Sequence, residues 1–100
     1  MPTSKKTTVT HPVTGTQKKL DSATYDVFRD AIIESLNGTR GKTFSDLTDD
    51  VVNIIRKKHP SFKGSVPWYT ISVRLDLESR GIVETFIEKG RKFNRLKRDI

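Results

Sequence analysis

The sequence predicts an α+β domain: three helices followed by a C-terminal β-hairpin, with a flexible basic arm in front. Three observations carry this expectation. Apolar residues recur at helical spacing in three separate stretches between residues 22 and 79. After Gly81 the pattern changes to alternation, interrupted by a short turn that contains Gly90. The first twenty residues follow neither period. At 100 residues the chain has the length of one ordinary domain, divided into an arm (1–20) and a folded body (21–100).

Along residues 1–20, Thr3, Ser4, Thr7, Thr8, Thr10, Thr14 and Thr16 are interspersed with lysines, and Val9, Val13 and Leu20 are the only large aliphatics. His11-Pro12 and Gly15 break any regular element. The stretch therefore reads as an irregular arm, with Val13 or Leu20 available to dock on the body.

The first helix is expected over about Ser22–Leu36, where Tyr25, Phe28, Ile32 and Leu36 make one apolar face. Asp21 or Ser22 caps its start and Asn37-Gly38 stops it. Asp30 and Glu34 make the opposite face acidic, which suits a scaffold better than a surface for phosphates. Thr43-Phe44 reads as a very short strand. Ser45 is then expected to cap a second helix over Asp46–Lys58, with aspartates in its first turns and Arg56, Lys57 and Lys58 in its last, as the helix dipole favours. Leu47, Val51, Ile54 and Ile55 supply its buried face, and His59-Pro60 ends it. Pro67 suits the first position of a third helix, Pro67–Ser79, capped by Ser65 or Val66 and stopped by Gly81. Trp68, Ile71 and Leu75, with Val73 and Leu77, are expected to face inward. That leaves Tyr69, Thr70, Ser72, Arg74 and Asp76 on the other side. Residues 82–87 and 92–96 read as paired strands around a turn at 88–91.

Composition narrows the function classes. With no cysteine there is no disulfide, thiolate zinc site or cysteine nucleophile, and a reducing compartment fits. No apolar run approaches the ~20 residues of a membrane span, and the N-terminus lacks the apolar core of a secretory signal, so a cytoplasmic location is expected. His11 and His59 stand alone. Asp46, Asp49 and Asp50 are accounted for by the helix dipole. Neither Ser45 nor Ser72 has a base beside it in sequence, and Gly38-Thr39-Arg40-Gly41-Lys42 lacks the pattern of a phosphate-binding loop. The reading is a non-enzyme without metal or cofactor. The net charge is +7, and residues 1–50 are neutral overall, so the excess lies in the second half. A one-sided basic surface is the electrostatic footprint of a polyanion binder.

Within that second half, Val73-Arg74-Leu75-Asp76-Leu77-Glu78-Ser79-Arg80-Gly81-Ile82-Val83 resembles the end of the recognition helix and the first wing strand of the winged helix-turn-helix superfamily. Arg91-Lys92-Phe93-Asn94-Arg95-Leu96 resembles the second wing strand. The resemblance spans about Thr24–Leu96, and the chain is also similar to short, functionally uncharacterised bacterial proteins with a tryptophan in the third helix. It implies a wing and a helix able to enter the major groove of double-stranded DNA, in a small transcription regulator or nucleoid-associated factor.

On that reading Tyr69, Thr70, Ser72 and Arg74 lie on the exposed arc of the third helix, and Arg74 is the candidate base reader. Pairing with Glu78 at i,i+4 is the alternative for Arg74. Lys63 and Ser65 approach the backbone before that helix, while Lys89, Arg91, Lys92 and Arg95 do so from the wing, with Lys97 and Arg98 behind it. Lysines that merely guard an edge strand are the alternative there. The competing function is a winged-helix module that docks another protein, or a homodimer. Two features separate the cases. DNA binding asks for a continuous positive face across the third helix and the wing, whereas docking asks for an exposed apolar patch around Trp68, Tyr69 and Phe62.

Overall fold

The computed structural model describes residues 5–97, in which three helices are accompanied by two antiparallel hairpins. In chain order these are strands β1 (Lys6–Thr10) and β2 (Gln17–Asp21), helices α1 (Ser22–Leu36), α2 (Phe44–Lys58) and α3 (Val66–Ser79), and strands β3 (Val83–Glu88) and β4 (Arg91–Leu96). None of the described helices is long and apolar enough to cross a membrane. Arg98 and the first four residues of the expected arm lie outside the described residues.

The described part of the expected flexible arm is instead a hairpin, β1–β2, running from Lys6↔Asp21 to Thr10↔Gln17. Thr7-Thr8-Val9-Thr10 is a β-branched run that suits a strand. The residues that seemed to break structure form its connection. His11 Nδ1 accepts from the Val13 and Thr14 amides, and Gly15 takes φ +73°. Val9 and Leu20 on one face are buried in the core, whereas Val13 stays exposed in the connection.

Helix α1 follows the expected face: Tyr25, Phe28, Ile32 and Leu36 are all buried. Asp21 accepts from the Thr24 amide as its cap. The cap of α2 is Thr43 rather than Ser45, its hydroxyl accepting from the Asp46 amide, so Phe44 is already helical. The short strand expected at Thr43-Phe44 is displaced to a single bridge, Lys42↔Asn94, which joins the chain before α2 to β4. Leu47, Val51 and Ile55 complete the core with Val73 and Leu77 of α3. In the second hairpin, Lys89 and Gly90 both have positive φ, the conformation that matches a two-residue turn to strand twist.

Helix α3 packs against α1, α2, β1 and β3. That position decides which of its side chains can reach solvent.

Candidate interaction surface

Ser65 caps α3 as expected, accepting from the Trp68 amide at 3.3 Å. From there the helix is turned differently from the expected orientation. Val73 and Leu77 face the core as expected, but Thr70, Ser72, Arg74 and Asp76, expected on the other side, are buried with them. Trp68 and Ile71, expected inside, are each 41% exposed, and Leu75 is half-buried. These three stand at i, i+3 and i+7, one stripe on the outward side.

Three of the four buried polar side chains of α3, Thr70, Arg74 and Asp76, find partners that explain the orientation, although Arg74 Nε has none. Thr70 donates to the Val66 carbonyl at 2.7 Å. Arg74, 7% exposed, pairs with Glu78 at 3.0 Å and donates to Asn94 Oδ1 at 3.0 Å. Asn94 in turn donates to the Lys42 carbonyl. Asp76 accepts from the Thr10 amide (2.9 Å), the Tyr25 hydroxyl (2.5 Å) and Arg80 Nε (2.6 Å). The carboxylate therefore ties β1, α1 and α3 together. Burial, and then this bond to Asp76, pushes the Tyr25 hydroxyl up to about 12. Asp76 in return raises Arg80 above its ordinary value.

The candidate DNA-contacting residues are accordingly divided. Arg74, Thr70 and Ser72 are structural in this arrangement and are not presented on an exposed arc. Tyr69 is half-buried, its ring stacked on Phe28 with centroids 5.2 Å apart and edge-on to Phe62 and Trp68. Lys63 and Ser65 are exposed ahead of α3. At the other hairpin, Lys89, Arg91 and Lys92 are brought together on an exposed tip beside Ile87, itself 74% exposed. Arg95 is exposed, paired with Glu84 at 2.6 Å and lying over the Phe86 ring.

Charge is distributed unevenly around these surfaces. The acidic face of α1 is largely neutralised, since Arg29 bridges Asp26 and Asp30 and Lys58 pairs with Glu34. Asp50 is bound by Lys42 and Ser35, which hold its carboxyl below the ordinary value. Lys18, Lys63, Lys89, Arg91 and Lys92, in contrast, have no ion-pair partner among the described residues.

Two contributors escaped the sequence reading. Lys18, assigned to the arm, holds its ammonium 5.1 Å from the centroid of the Trp68 ring. The inner face of the first hairpin, through Val9, His11, Thr16 and Lys18, walls a shallow groove against Ser72 and Leu75 of α3. The β-branched Thr7-to-Thr10 run was the available signal for that hairpin. No curated protein and no solved structure matches the chain. A family model matches residues 6–93, from the first strand of one hairpin to the last strand of the other, and the chain belongs to that family of unknown function, DUF6958.

Proposed function

We propose that this chain is a winged-helix-type domain that works by docking a protein partner on the outward side of α3. The connectivity supports the winged-helix reading: helix, a single bridged residue, two helices, then a hairpin whose returning strand pairs with that residue. The pairing is reciprocal. Lys42 N–H donates to Asn94 O at 2.8 Å and Asn94 N–H to Lys42 O at 2.6 Å.

The observation that carries the docking reading is the apolar stripe Trp68–Ile71–Leu75. A helix that reads bases needs long polar side chains facing out, and here Arg74 is buried and the half-buried Glu78 is paired with it. An exposed apolar stripe flanked by polar residues marks a site of association. A non-enzymatic role and a cytoplasmic setting belong to the same proposal. Selection of peptides from a random library on the intact chain tests it. Selected peptides should lose binding to an Ile71→Asp variant, and peptides that bind both chains equally would remove α3 from the site.

A second reading is favoured by the cationic tip at Lys89, Arg91 and Lys92. An exposed hairpin of this charge, with an apolar Ile87 beside it, suits a duplex backbone or minor groove. It predicts binding to double-stranded DNA that is indifferent to sequence and falls steeply with salt. Arg91→Glu with Lys92→Glu should abolish it, and unchanged affinity would exclude the tip.

A further inference from the structure

Resting on the docking reading, we infer the kind of partner: an amphipathic, helix-forming protein segment whose apolar face is flanked by carboxylates. Trp68, Ile71 and Leu75 run about 10 Å along the axis of α3, two helical turns. A partner helix presents side chains at the matching i, i+3 or i+4, and i+7 spacing. The groove beside them gives such a side chain a concave seat, walled by Val9 and Lys18 on the hairpin and Leu75 on the helix. A flat bilayer makes poor use of a concave seat.

The border of the stripe is positive. Lys18 lies over Trp68 without a carboxylate partner among the described residues, so its ammonium remains available to an incoming anion. Lys63 precedes the Ser65 cap by two residues. The N-terminus of α3, at the Trp68 end of the stripe, adds the positive end of a helix dipole. The carboxylates of α3 itself do not offset this, because Glu78 is held by Arg74 and Asp76 by Arg80. A second copy of the chain would bring a net charge of +7 towards this border, which disfavours self-association and favours an acidic partner.

The lone tryptophan makes the test direct, since Trp68 is in the proposed site. Two tryptophan-free helical peptides with the same leucine face, one with glutamates and one with lysines on the polar face, are titrated at low salt. The glutamate peptide should shift Trp68 emission to the blue and saturate, binding about fivefold or more tightly than the lysine peptide. Added salt should erase the difference. Lys18→Glu with Lys63→Glu should reverse the preference, and Ile71→Asp should weaken both peptides about tenfold. These positions are exposed, and an unchanged thermal melt verifies that each variant folds.

Equal affinity for the two peptides would overturn the acidic partner while leaving the docking stripe in place. Binding of neither peptide would overturn both. An emission shift seen only with phosphatidylserine vesicles, or only as the chain itself is concentrated, would replace the partner by a membrane or a second copy.

Discussion

Asp76→Ala should be the most damaging single substitution outside the apolar core, and its cost can be worked from its contacts. The Asp76 side chain is 1% exposed and receives three donors. Its loss leaves the Thr10 amide and the Tyr25 hydroxyl without an acceptor, and each such group costs about 1–3 kcal/mol. Arg80 is different: its side chain is 49% exposed and can regain water. The sum is about 3–5 kcal/mol once the small cavity is included. A domain of this size has about 5–15 kcal/mol in total, so the melting temperature should fall by roughly 15–30 °C.

Urea denaturation followed by circular dichroism measures the whole cost, and amide exchange locates it. Because Asp76 joins β1 to α1 and α3, the Thr10 amide should exchange much faster while the α2 interior remains protected. Asp76→Asn keeps an acceptor for Thr10 but loses the charge opposite Arg80, so it should cost less, about 1–2 kcal/mol. A loss below about 1 kcal/mol for Asp76→Ala, with Thr10 exchange unchanged, would refute the idea that this carboxylate holds the first hairpin to the helices.

Three further outcomes follow from the same geometry. Tyr25 ionises near 10 when unfolded and near 12 when folded, so its contribution is complete below pH 10 and is lost as pH rises towards 12. Tyr25→Phe should flatten stability across that window, as read from urea midpoints. Arg74→Ala should destabilise the fold by about 2–3 kcal/mol, since Asn94 loses its donor and Glu78 is left a half-buried charge. The same variant should leave any preference among DNA duplexes unaltered. Gly41 has φ +141°, and a Cβ there would lie 2.8 Å from Phe86 Cε1. Gly41→Ala should therefore cost about 1–3 kcal/mol in thermal or urea unfolding.

Much of the fold was legible because single elements carried redundant signals. In α1 the apolar period, the Asp21 cap and the Asn37-Gly38 stop all agree, and its bounds match the expected ones. The second hairpin had alternation and a glycine turn. The first hairpin had only β-branched threonines, whose polar side chains hide the alternation, and a connection rich in residues that usually mark loops. Its strands are secured by burial of Val9 and Leu20 and by the bonds of Thr8 and Thr10 to Arg80 and Asp76. Those partners lie more than sixty residues away, beyond the reach of any local pattern.

The orientation of α3 was the costly misreading, and its cause is physical. Two stripes compete along this helix. One joins Trp68, Ile71 and Leu75; the other joins Val66, Thr70, Val73 and Leu77, with Tyr69 at its edge. Ranking residues by hydrophobicity selects the first and, from the second, only Val73 and Leu77. The second wins because α1, α2, β1 and β3 all pack against α3, so its inner side must also take side chains that serve as acceptors and donors between elements. Asp76 faces a strand edge, and Arg74 faces Asn94, which itself holds the bridge before α2. Turning the helix to bury Trp68 and Ile71 would expose those junctions and strand the Thr10 amide, the Tyr25 hydroxyl and Asn94. At about 1–3 kcal/mol per unpaired buried group, that exceeds what two half-exposed hydrophobes gain by full burial. The same balance leaves an apolar stripe facing solvent and takes the candidate base-reading residues out of reach, which is why we propose a protein partner for the surface of α3.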